Sequence, residues 1–304
     1  MDRRQFLTRL LGGLLGGVLL PSRGRAQQPG VVQLTDRVSL LTTGGTNVLA
    51  LSTPDGLVLV DSGALDRVAP LVAALRQLAG GQRVTKAFNT HWHLENTGAN
   101  EALRQDGAAI VAHENTRLWM ATPVWMPSED RYRQPRPKSA HPTETFRTEG
   151  STTAGRERID YGHLIEAHTS GDIYVFFRDS NVLAVGDVAS PARDPELDYF
   201  TGAWIGGRLD ALTRLLTLAN DTTRIVPGFG PVMTRAELQA ERDLMKMFYD
   251  RAVDRVRQGY DAEDMLKADV MNDLGRTFND PRKFLYDVNK GLWAHHNKLN
   301  PNVV

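Results

Sequence analysis

At 304 residues, 41% of them hydrophobic and 24% charged, the chain has the makeup of globular material, enough for one large domain or two small ones. Lys plus Arg equals Asp plus Glu at 36 each, so the excess of basic charge that nucleic-acid binding needs is missing and a role on DNA or RNA is not expected. There are no cysteines, which removes a disulfide framework and leaves His, Asp and Glu as the side chains able to hold a metal.

The even balance conceals a basic start. Residues 1–26 carry Arg3, Arg4, Arg9, Arg23 and Arg25 against Asp2 alone, with an apolar run from Leu10 to Leu20 and polar Gln27-Gln28 beyond. That order reads as a signal peptide. Arg3-Arg4 followed by Gln5-Phe6-Leu7, with four glycines in the apolar run, resembles the twin-arginine export class. Cleavage is expected near Ala26, with the export machinery as partner and the periplasm as destination; an ordinary secretory signal or an uncleaved anchor is the alternative. The eleven-residue run falls short of the roughly 20 residues needed to cross a bilayer, so no stable membrane insertion is expected.

Residues 31–63 read as successive strands, with 47–52 and 57–61 joined through the turn signal Pro54-Asp55-Gly56. Leu65, Val68, Ala69, Val72, Leu75 and Leu78 recur at helical spacing, and Gly80-Gly81 stops them. A short strand then runs into Asn89-Thr90-His91, followed by a helix near 100–105 and a strand at 109–112. Five prolines between 121 and 160 break this rhythm and predict a long surface excursion of the kind that often forms a lid. Strands resume at 173–177 and 182–186. Helices follow at 209–218 and from the capping box Thr234 to Glu237 as far as Gly259.

Three of the eight histidines sit where chemistry is expected. His91-Trp92-His93 leaves a strand, and alternate residues of an extended segment point the same way, so both imidazoles can reach one ion. His168-Thr169-Ser170-Gly171-Asp172 leads into an apolar strand, and Gly186-Asp187 ends the next one. Three imidazoles and a carboxylate delivered from strand ends make a set suited to zinc. His113, His141, His163, His295 and His296 are expected to play structural or surface roles. Trp119, Trp125 and Trp204, with Met120 and Met126, suit either a substrate cleft or ordinary packing.

In order and spacing, Thr90-His91-Trp92-His93 with Gly98 and Asn100, then His168 to Asp172, Gly186-Asp187 and Pro227-Gly228-Phe229-Gly230, resembles the metallo-β-lactamase superfamily from about Val31 to Met233. The resemblance implies an α/β fold, an αββα sandwich with the metal at one edge, spanning 27–304 and carrying a helical C-terminal extension at 234–304. It also implies that Asp61 orients a ligand imidazole from behind. Departures accompany the matches: where the family has H-x-H-x-D-H, this chain has Glu95 and Asn96 in the last two ligand positions, and where it has Pro-Gly-His-Gly, this chain has Phe229. The first-metal set, His91, His93, His168 and Asp187, is intact, while the second lacks nitrogen ligands. One ion is therefore expected, Zn2+ or alternatively iron.

The activity implied is hydrolysis of a small-molecule ester, thioester, lactone or amide by a metal-activated water, whose pKa three-histidine zinc lowers to about 7. Asp187 or Glu95 would take the proton, and Asn96 would donate to developing negative charge. Two other readings stay open: a catalytically degenerate binding protein, and a mononuclear iron sulfur dioxygenase using His91, His168 and Asp187.

Overall fold

The computed structural model describes residues 30–126, 130–268 and 270–299, so the expected export signal lies outside the described residues. Two sheets stack face to face with helices on both outer sides, an αββα sandwich. The first sheet takes β1 (Val31–Gln33), β2 (Val38–Leu41), β3 (Val48–Thr53), β4 (Gly56–Val60), β5 (Val84–Phe88) and β6 (Ala109–His113) in chain order. A small hairpin of β7 (Val124–Met126) and β8 (Arg131–Arg133) stands apart, and β9 (Glu144–Phe146) then closes the sheet against β6. The second sheet runs β10 (Glu149–Ala154), β11 (Glu157–His163), β12 (Ile173–Phe177), β13 (Val182–Gly186) and β14 (Arg224–Pro227).

Strands buried on both faces explain the near-continuous apolar runs. In β3, Leu49 and Leu51 point between the sheets, toward Val175 and Phe177 of β12, while Val48 and Ala50 point outward. That outer face is covered by α1 (Val68–Ala79) and by Leu103, on a helix at Asn100–Gln105 that follows a single turn at Leu94–Thr97; we number these α3 and α2. Beyond the short α4 (Glu114–Ala121), the other outer face is covered by α5 (Ile205–Leu218), α6 (Arg235–Arg257), α7 (Ala262–Lys267) and α8 (Pro281–Ala294).

The excursion expected over 121–160 is shorter in the structure. Residues 144–160 belong to the sandwich, with β9 parallel to β6 and β10 and β11 forming the edge of the second sheet. The prolines lie before them, around the β7–β8 hairpin. The capping box at Thr234 and Glu237 is present and opens α6. No described helix is long and apolar enough to cross a membrane.

Candidate metal centre

The parallel pairs β4–β5 and β13–β14 end at the same edge of the sandwich, and the functional side chains follow those ends. Asp61 comes after β4, His91 and His93 after β5, Asp187 after β13 and Phe229 after β14. His168 arrives in the loop from β11 to β12, where the Asp172 carboxylate accepts from the backbone N–H of His168 (2.6 Å) and of Thr169 (2.7 Å) and pins the turn.

One ligand atom from each of His91, His93 and His168 lies within 4.8 Å of the others, and all three residues are buried. Each ring turns its other nitrogen to an oxygen. His91 Nδ1 is 3.0 Å from the Thr90 hydroxyl, which donates to Asp61 Oδ2 at 2.8 Å. His93 Nε2 is 3.2 Å from Asp198 Oδ2, and His168 Nδ1 is 3.0 Å from the carbonyl of Glu196. With the outward nitrogens donating, the inward lone pairs are those of His91 Nε2, His93 Nδ1 and His168 Nε2.

The inward nitrogens fit a cation. His91 Nε2 is buried without a hydrogen-bond partner. His168 Nε2 and His93 Nδ1 face each other at 3.2 Å, where a proton or a metal cation held between the two nitrogens removes the repulsion of their lone pairs. Burial, and then the charges on His168, His93 and Arg193, hold His91 well below the usual imidazole range. Burial also opposes charge on His93, but the hydrogen bond to Asp198 and the charges of Glu95, Asp198 and Glu196 override it and lift that ring to about 9. Burial pushes the Asp61 carboxyl up to about 7, against hydrogen bonds from Thr90 and Asn96 that pull it down. Asp61 thus reaches His91 through Thr90 rather than directly.

Asp187 Oδ2 lies 3.8 Å from both His91 Nε2 and His168 Nε2. Its other oxygen, Oδ1, is buried without a partner and leans over Gly228, where a Cβ would come within 2.1 Å. Glu95 is part-exposed, with Oε1 3.8 Å from His93 Nδ1. Asn96 is fully buried and gives an amide proton to Asp61 at 2.9 Å, while its Oδ1 has no hydrogen-bond partner. Phe229 is exposed and lies beneath the Arg193 guanidinium.

Beside His93 opens a cavity of about 520 Å3 lined by Glu95, Trp125, Arg133, Asp198, Tyr199 and Tyr286, among others. Trp125 therefore lines the cleft, whereas Met120 and Trp204 are buried and Trp119 donates to Ser170 Oγ at 2.8 Å. His113 and His163 stack on each other at 3.7 Å away from the centre, and His141 bonds the Arg136 carbonyl. His295, expected at the surface, is half-buried and stacks on Trp204; His296 is exposed. Sequence reasoning did not find Asp198 or Arg193, because both lie in the irregular stretch between β13 and α5 where no periodicity marks a position.

Residues 41–243 match the metallo-beta-lactamase superfamily. Among curated proteins, a metallo-beta-lactamase type 2 of Bacillus cereus is 25% identical over 201 residues, 66% of this chain and 73% of that one. Among solved structures, a metallo-beta-lactamase from Pontibacter korlensis superposes with a TM-score of 0.57 at 20% identity, covering 71% of this chain and 98% of the other. The inverting sec-alkylsulfatase Pisa1 from Pseudomonas sp. gives 0.64 at 13% identity over 88% of this chain and 50% of the other. At such identities these two structures speak to the fold.

Proposed function

Because this chain belongs to the metallo-beta-lactamase superfamily, we propose that it is a metal-dependent hydrolase working with one ion, zinc, held by His91, His93 and His168. The observation that carries this is the ring arrangement: three buried imidazoles with outward nitrogens satisfied by oxygen and inward nitrogens converging. When bound there, zinc supplies Lewis acidity and an activated water near neutral pH.

The chain's own residues do the rest. Asp198 and the Glu196 carbonyl fix two ring tautomers, and the Thr90–Asp61 pair fixes the third. Glu95, part-exposed at the mouth of the cavity, takes up the proton released in hydrolysis. Asn96 positions Asp61, and the aromatic wall of Trp125, Tyr199 and Tyr286 receives the apolar part of a small-molecule ester, thioester, lactone or amide. Arg193 holds the carboxylate that a two-histidine, one-carboxylate iron site would use, which favours zinc over iron.

Metal analysis of the purified mature chain, with hydrolysis of β-lactam, lactone and thioester panels, tests this. One zinc per chain, lost in His168→Ala, with turnover of one panel member, is the expected result. A metal-free, cooperatively folded and inactive protein would instead make it a binding protein using the same cleft.

The proposal includes export to the periplasm by the twin-arginine route, supported by Arg3-Arg4 ahead of a weakly apolar, glycine-containing run and by the lack of cysteines. Replacing both arginines with lysine should leave the protein in the cytoplasm on cell fractionation; unchanged periplasmic accumulation would remove this part of the reading.

A further inference from the structure

We infer that Arg193 is a built-in cation that stands beside Asp187 in place of a second metal ion and, together with the missing nitrogen ligands at 96 and 229, restricts the centre to one. This rests on the reading of His91, His93 and His168 as the holders of a first ion. Asp187 Oδ2, the atom 3.8 Å from both His91 Nε2 and His168 Nε2, accepts a hydrogen bond from Arg193 Nη2. A carboxylate this deeply buried must be paired, and a planar guanidinium is a well-matched partner because it bonds directionally and sheds water more readily than an ammonium.

The surroundings are shaped to the same occupant. Phe229 presents its ring to the guanidinium at 5.3 Å, a contact that attracts a delocalised cation, whereas an imidazole there would compete as a ligand or repel once protonated. Asn96, neutral, turns its amide to Asp61 and adds no charge. The departures at 96 and 229 therefore both remove nitrogen ligands, and the one at 229 also builds a seat for arginine.

The loop carrying Arg193 is held from far along the chain. Arg276 Nη2 donates to the Ser190 carbonyl at 2.6 Å and to the Arg193 carbonyl, and Asp194 accepts from the backbone N–H groups of Asn279 (2.9 Å) and Asp280 (2.8 Å). The guanidinium is thereby placed by the C-terminal region, with 31% of the side chain left exposed. A positive charge fixed on Asp187 competes with the triad ion for that carboxylate and repels any ion trying to enter beside it.

Zinc content by plasma mass spectrometry and zinc affinity by chelator competition test this on the full folded chain, with cooperative melting as the check on each variant. Arg193→Ala should still hold one ion, but at least about tenfold more tightly, since Asp187 is freed for it; general damage to the fold would weaken binding instead. Arg193→Lys, which keeps the charge, should stay close to the unaltered affinity. The triple variant Glu95→Asp, Asn96→His, Phe229→His should hold one ion while Arg193 is present and two when Arg193→Ala is added. Two ions in the triple variant with Arg193 retained, or unchanged or weaker binding in Arg193→Ala, would overturn the inference. An unaltered protein that folds but holds no zinc would refute the one-ion reading itself and the inference with it.

Discussion

Thr90 carries more of the site than its size suggests. Its hydroxyl receives from His91 Nδ1 and gives to Asp61, so one oxygen fixes both the tautomer and the tilt of a buried ring whose other nitrogen has no partner. Thr90→Val keeps the shape and removes the link, and should weaken zinc binding by about 10- to 100-fold, with Thr90→Ser restoring it. Chelator competition reads this directly; an unchanged dissociation constant would mean that packing alone orients His91. At this scale the histidines were legible in the sequence because strand alternation puts His91 and His93 on one side and Asp172 marks the turn that delivers His168. For Asn96 the fold adds what the sequence does not show, that its amide gives a proton to Asp61. Arg193 and Asp198 were silent because contacts from distant elements, not local pattern, bring them to the centre.

Among the elements, and unlike β9 and β10, which are partly exposed along their length, strands such as β2, β4, β12 and β13 were legible because every residue is buried and the apolar runs are nearly unbroken. The start of α5 was not: helical spacing marks Leu209 onward, yet the helix begins at Ile205, through Gly206 and Gly207. Glycine there is a matter of space, since a Cβ at 207 would come within 2.2 Å of the Glu166 carbonyl oxygen. Where β6 and β11 end, the two sheets meet through His113 and His163, stacked at 3.7 Å with an interplanar angle of 18°. His113 bonds the Arg147 carbonyl and accepts from the Asn115 N–H, His163 bonds the Ser170 carbonyl, and Glu114 and Glu166 are the charged groups nearby. Burial holds both rings below the usual range, His163 at about 4, with His113 adding repulsion to it. Above pH 6.5 both folded and unfolded chains keep these rings neutral. As pH falls from there toward about 4, the unfolded chain takes up protons that the folded one refuses, so stability is lost across that window. The slope is at most about 1.4 kcal/mol per pH unit for each proton, less with solvent screening. His163→Phe keeps a ring on His113 and should flatten the fall in melting temperature between those pH values; an unaltered slope would place the acid sensitivity elsewhere.

At the scale of the whole molecule, the helical C-terminal region does more than cover the second sheet. Arg208 on α5 is fully buried and donates to the Asp187 carbonyl (3.0 Å), to Ser190 Oγ (2.9 Å) and to Glu241 on α6 (3.2 Å), while Glu241 also accepts from the Ser190 N–H. The segment that bears Asp187 is thus clamped by an ion pair whose acidic half lies on α6, and the same segment is held again by Arg276. Removing one partner of a buried pair leaves the other charge unsatisfied, at a cost of about 3–5 kcal/mol, whereas replacing both with apolar side chains avoids that penalty. Glu241→Ala should therefore lower the melting temperature by roughly 10 °C, and Arg208→Met with Glu241→Met should recover much of it. If the clamp also serves the metal centre, stability and zinc response should separate in the double variant. Zinc at a hundred times its dissociation constant should add about 2.7 kcal/mol to the unaltered protein. That increment, read as the melting temperature with and without chelator, should shrink in the double variant, because it lacks the hydrogen bonds by which Arg208 holds the Asp187 carbonyl and Ser190 Oγ and Glu241 holds the Ser190 N–H. A double variant that regains stability together with the full zinc increment would show that the pair braces the fold alone, and that α6 has no hold on the site through it.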